Sequence, residues 1–94
     1  MSVLGKFIKQ PNEILDYDVD YTDWFSNRSD APSSIAVVVE SGITLVGSSL
    51  AGMIAKVALS GGTDGNTYTI TVRLTTDSGM VKEADFQVKV KESA

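Results

Sequence analysis

The sequence predicts an all-β chain, an antiparallel β-sandwich of about six or seven strands in the immunoglobulin or fibronectin-III manner. Three observations carry that reading. Apolar and polar residues alternate with a period of two in several short runs, as in a sheet that buries one face. Turn residues separate these runs at roughly eight-to-twelve-residue intervals, and no segment holds three turns of helical periodicity. The 94 residues suit one domain, large enough to bury about 60–65% of its unfolded surface in a single core.

The first ten residues read as an N-terminal arm, with Val3, Leu4, Phe7 and Ile8 interrupted by Gly5, Lys6 and Lys9. It is too short and broken for a signal peptide or a membrane span. Pro11 closes the arm, and residues 11–94 form the sandwich domain. Leu15, Tyr17, Val19 and Tyr21 alternate with Asp16, Asp18 and Asp20, a half-buried strand whose outer face is a row of carboxylates that either guards an edge or meets a partner. Thr22–Ser26 breaks the alternation as a short helical turn, with Trp24 and Phe25 closing the open end of the core. A loop from Asn27 to Ser34 leads to the β-branched run Ile35–Glu40, a turn at Ser41-Gly42, and a short strand Ile43–Val46. Gly47-Ser48-Ser49 then leads to an alternating strand through Met53, Ala55, Val57 and Leu59.

The clearest pattern is a hairpin between Ser60 and Val90. Its first arm sets Tyr68, Ile70, Val72 and Leu74 against a threonine-rich parity; its second sets Ala84, Phe86, Val88 and Val90 against Glu83, Asp85, Gln87 and Lys89. Leu59, Gly65 and Tyr68 are placed as at the corner where such sandwiches cross between sheets, with the tyrosine hydroxyl turned back to the preceding backbone.

Composition narrows the chemistry. There is no cysteine and no histidine, which removes thiolates, disulfides, the commonest general base and the commonest transition-metal ligand. Net charge is −4, and residues 12–30 set Glu13, Asp16, Asp18, Asp20, Asp23 and Asp30 against Arg28 alone. That balance disfavours the phosphate backbone of a nucleic acid. The aspartates begin like a calcium loop, but the places that need glycine and a bidentate glutamate hold Tyr21 and Asn27. Gly61-Gly62-Thr63-Asp64-Gly65 is glycine-rich, yet it lacks the Lys-Ser/Thr ending of a phosphate loop and runs into a strand. Nothing in the sequence places two carboxylates across a cleft. The chain is expected to have no enzymatic activity, no cofactor and no metal.

A resemblance then stands on Lys9, Pro11, Glu13, Asp16-Tyr17, Asp20, Asp23-Trp24 and Ile35, followed by Leu59-Ser60-Gly61-Gly62-Thr63 through Tyr68 to Thr75-Thr76. From about Lys6 to Val90 the chain resembles the small tailed-bacteriophage structural proteins of the fiber-tail adaptor, immunoglobulin-like family. Two positions depart from the family pattern: Tyr21 stands where a Trp is common, and Met80 where an Arg often follows the hairpin glycine. The resemblance implies a virion protein of the tail, neck or fiber attachment, made in the host cytoplasm. It would act through contacts with other phage structural proteins and with itself, as a homo-oligomeric ring, without nucleic acid or membrane.

The residues expected at the partner interface are Val3, Leu4, Phe7 and Ile8 of the arm, which would dock on a neighbour, together with Asp16, Asp18, Asp20 and Trp24. The alternative is a carbohydrate- or host-surface-binding module that uses the loops Asn27–Ser34 and Gly61–Asn66.

Overall fold

A computed structural model of the chain describes residues 3–92, with side chains from Phe7 onward. Seven strands and one helical turn follow in the order β1 (Val3–Lys9), β2 (Leu15–Asp20), α1 (Thr22–Phe25), β3 (Pro32–Val39), β4 (Ile43–Ala51), β5 (Ile54–Gly61), β6 (Thr67–Thr76) and β7 (Val81–Val90). They form a four-stranded sheet in the order β1-β7-β6-β3 and a three-stranded sheet in the order β2-β5-β4. The two sheets pack face to face as a β-sandwich. All pairings are antiparallel except β1 with β7.

The core follows from the alternation. Tyr68, Ile70, Val72 and Leu74 of β6 and Ala84, Phe86, Val88 and Val90 of β7 turn inward and meet Tyr17, Val19, Ala55, Val57 and Leu59 of the other sheet. Ile70, Val72, Leu74, Val57 and Leu59 are wholly buried. Each such aliphatic side chain contributes about 1.5–3 kcal/mol of transfer free energy on burial, so this seam carries the fold. The hairpin turns through three residues, Asp77, Ser78 and Gly79, between the facing Thr76 and Met80, and Gly79 adopts a φ of 93°, a conformation that costs glycine little.

Three elements differ from the sequence reading, each for a physical reason. The arm expected to dock on a neighbour forms β1, whose residues 3–9 lie parallel to β7 of the same chain in the register Phe7↔Val88 and Lys9↔Val90; Met1 and Ser2 lie outside the described residues. The strand expected to stop at Val46 continues to Ala51, because Val46 is an unpaired residue between Leu45↔Leu59 and Gly47↔Ala58. That bulge reverses parity: Ile43 and Leu45 face the core before it, and Leu50 faces the core after it. Finally, β3 starts at Pro32 rather than at Ile35, with a register irregularity between Pro32 and Ser34.

The corner tyrosine is where the sequence places it. The Thr63 N–H donates to the Tyr68 hydroxyl at 2.9 Å, and the ring packs beside Gly42 and Gly62, where a Cβ would meet it at 3.0 and 3.3 Å. This hydrogen bond to the oxygen favours the ionised phenol and lowers the pKa of Tyr68. A second tyrosine crosses the core: the Tyr21 hydroxyl donates to the Val72 carbonyl at 3.1 Å, and burial pushes its phenol up to about 12.

Candidate partner interface

The expected interface residues lie around one side and one end of the sandwich. β1 and β2 are edge strands of different sheets that lie over one another, as the contact between Phe7 and Tyr17, ring centroids 5.0 Å apart, shows. Phe7 also meets Phe86 edge-on at 5.8 Å. Its ring, still 41% exposed, thus closes the open side of the core, because β1 has no covering strand beyond it. Ile8 points the other way and is 69% exposed. The side chains of Val3 and Leu4 lie outside those described.

The end of β1 is fastened by Lys9, which the sequence reading placed in the arm and in the family resemblance without giving it a structural role. Its side chain is wholly buried, and the ammonium donates to the carbonyls of Gln10 at 2.8 Å, Pro11 at 3.4 Å and Gly61 at 2.7 Å. Three carbonyl dipoles stand in for the lost hydration, without a carboxylate in contact among the described residues. Burial still lowers the pKa of Lys9, and the nearby Glu13 opposes that shift. The Lys91 N–H donates to the Lys9 carbonyl at 2.9 Å, so backbone and side chain tie the strand to β7 and to the end of β5 together.

The carboxylate row on β2 is engaged within the chain. Lys56, opposite Asp18 on β5, bridges Asp18 at 3.2 Å and Asp16 at 3.5 Å. The pair of acids raises the Lys56 pKa, while solvent screening at these half-exposed positions keeps the contribution to stability small. Asp20 accepts from the Thr22 N–H at 2.9 Å and from its hydroxyl at 2.5 Å, which starts α1 and lowers the Asp20 pKa. Thus Asp16 and Asp18 face outward from one sheet and Ile8 from the other. The predicted residues share a side of the molecule, but they do not form one continuous face.

At the end beyond β2, Trp24 lies half-buried, with its ring edge-on to the buried Phe25 at 4.8 Å and the Arg28 guanidinium above it at 4.3 Å. Trp24, Asp20, Tyr21 and Asp23 face Lys82, Glu83 and Ala84 of β7 across a shallow cleft of about 250 Å³. Next to it Asp30 clasps the β6–β7 turn: its carboxylate accepts from the Ser78 hydroxyl at 2.6 Å and from the Ser78 N–H at 3.3 Å. Hydrogen bonds from Ser78 hold its pKa down to about 2. The two loops of the alternative carbohydrate reading sit at opposite ends, since Asn27–Ser34 reaches Ser78 whereas Gly65 bonds to Val90 at the far end of β7. The ten residues of β6 keep them about 30 Å apart. A sugar-binding face needs exposed aromatics, and of Tyr21, Trp24 and Phe25 the first and last are buried.

One buried group carries no sequence signal. Asp85 shares outward parity with Glu83 and Gln87, yet it is only 6% exposed, and its Oδ1 has no hydrogen-bond partner among the described residues. β7 is an interior strand, with Val3 and Thr71 opposite Asp85 in its two ladders.

Comparison with known proteins agrees with this architecture in extent. Residues 9–89, from the Lys9 anchor almost to the end of β7, match the model of the family Gp77, described as podophage GP4 fiber-tail adaptor protein gp77. No curated protein matches the chain. Because that match covers most of the 94 residues, the chain belongs to the podophage GP4 fiber-tail adaptor family.

Proposed function

We propose that this chain is a non-enzymatic virion protein of a tailed phage, made in the host cytoplasm, that joins tail and fiber through protein–protein contacts. The family match over residues 9–89 is the observation that carries the reading. The structure supports it in a specific way, because its distinctive polar residues stiffen the sandwich. Lys9 fastens β1, Tyr21 bridges the sheets, Tyr68 sets the corner and Asp30 clasps the hairpin turn. A rigid body transmits the geometry of a joint without paying ordering entropy on binding.

The partner surface in this reading is the β1–β2 side, including Phe7 and the exposed Ile8, continued at the α1 end by Trp24. The strand order, with β1 parallel to β7 beside β6 and β3, is read as immunoglobulin-like. In the assembled particle, head-to-tail contacts between copies would close a ring where the rotation between neighbours closes. Phage grown without this protein test the reading. Particles are expected to keep their tails and lose their fibers, and particles with a full complement of fibers would contradict it.

A further inference from the structure

A sandwich with two open sheets has four strand edges, and three of them carry a device against pairing with another chain. β1 has an irregular register between Val3 and Lys6. β2 has its three aspartates, and β4 has the bulge at Val46. Charges and bulges of this kind are how natural sheets keep edges apart. β3 has neither. Its sequence, Pro-Ser-Ser-Ile-Ala-Val-Val-Val, holds no charge, and its pairing with β6 runs unbroken from Ser34 to Val39.

The direction of its free backbone groups follows from the neighbouring ladder. The Val90 N–H donates to the Asn66 carbonyl and the Thr76 N–H to the Met80 carbonyl, so even-numbered residues of β6 bond to β7 and odd-numbered ones to β3. The Thr69 N–H, which reaches Glu40 just past β3, fits that parity. Thr71, Arg73 and Thr75 therefore bond to their partners Val38, Ala36 and Ser34. Ile35, Val37 and Val39 point their N–H and C=O groups away from the sheet. Among the described residues nothing pairs with them, and their side chains are only half-buried, whereas Ile70, Val72 and Leu74 beside them on β6 are wholly buried.

We propose that this edge is a homodimer contact, in which β3 of a second copy pairs antiparallel about a two-fold axis through Val37. The edge is complementary to itself. In that register Ile35 meets Val39 of the second copy, Val37 meets its own equivalent, and Val39 meets Ile35, so every free donor finds an acceptor in about six hydrogen bonds. Ala36 lies opposite Val38 of the second copy on the outer face, and no like charges oppose one another, since the strand has none. The contact extends the four-stranded sheet into one continuous sheet across both copies and covers Val38, now 47% exposed. It uses the side of the sandwich opposite β1 and β2, so it does not depend on the adaptor assignment and leaves the proposed partner surface free.

Light scattering of the full chain across a concentration series tests this. The mass is expected to rise from 10.0 kDa toward twice that value. Val38→Lys, at an exposed position where lysine guards an edge without disturbing the core, is expected to weaken association about tenfold or more with the circular dichroism unchanged. The register has its own test, aided by a sequence without cysteine. An oxidised mixture of the single variants Ala36→Cys and Val38→Cys is expected to form the mixed disulfide dimer in several-fold excess over either variant alone. A chain that stays at 10.0 kDa throughout overturns the proposal. So does an oligomer that ignores Val38→Lys and forms no preferred mixed disulfide.

Discussion

At the scale of single residues, the fold depends on a few polar groups placed where alternation alone would put apolar ones. Tyr21 is the clearest: its hydroxyl crosses to the Val72 carbonyl, and Tyr21→Phe, which removes that link between the sheets, is expected to cost about 1 kcal/mol in denaturant unfolding. Its titration has a definite sign. The folded phenol keeps its proton up to about 12, whereas the unfolded one loses it near the ordinary value of 10.0. Stability is therefore constant below that lower value and falls as pH rises between the two, and Tyr21→Phe should flatten the fall in an alkaline melting series. Asp30 behaves in the opposite sense. Its folded pKa of about 2 lies below the ordinary 3.8, so its contribution is present above 3.8 and is lost as pH falls through about 2. Asp30→Asn should lower the melting temperature at neutral pH and narrow the difference between neutral and acid values. The corner of Tyr68 was legible in the sequence because parity and turn glycines converge on it. The role of Gly62 was only half legible: turn chemistry calls for its φ of 97°, but the collision a Cβ would make with Val90 Cγ2 depends on a strand distant in sequence. Gly62→Ala is expected to destabilise by about 1–3 kcal/mol, measured by chemical unfolding.

At the scale of elements, β6, β7, β2 and the inward faces of β5 were readable, since each keeps one parity from end to end. β4 was cut short because the bulge at Val46 shifts its inward residues from odd to even numbers, and a reader who follows a strict period of two stops there. β1 was harder. Its apolar residues have no clean period, and what makes it a strand is a parallel partner at the other end of the chain, together with the buried Lys9. Long-range pairing of that kind leaves no local mark. Lys9→Met keeps the apolar stem and removes the ammonium, leaving the carbonyls of Gln10, Pro11 and Gly61 without their donor. It is expected to cost about 1–3 kcal/mol and to speed hydrogen exchange at the Lys91 amide, which bonds to the Lys9 carbonyl, more than at the amides of β6.

At the scale of the whole molecule, the chain is an elongated body of 48 × 21 × 19 Å, with different surfaces on its two narrow sides. One side carries β1 and β2 with their charges and the exposed Ile8; the other carries the uncharged β3 edge. For the candidate interface the sequence named Val3, Leu4, Phe7, Ile8, Asp16, Asp18, Asp20 and Trp24, but it could not show that Lys56 already answers two of the aspartates. It also could not show that Phe7 has a second task in sealing the core against Tyr17 and Phe86. If Ile8 and Trp24 belong to a joint, Ile8→Lys combined with Trp24→Ala should reduce capture of the other virion proteins from a particle extract while leaving the melting temperature nearly unchanged. The central claim, that this sandwich joins fiber to tail, is tested most directly by electron cryomicroscopy of intact particles. The account predicts density for a two-sheet body of 48 × 21 × 19 Å at the junction of tail and fiber, and particles in which that junction is built entirely from other chains would contradict it.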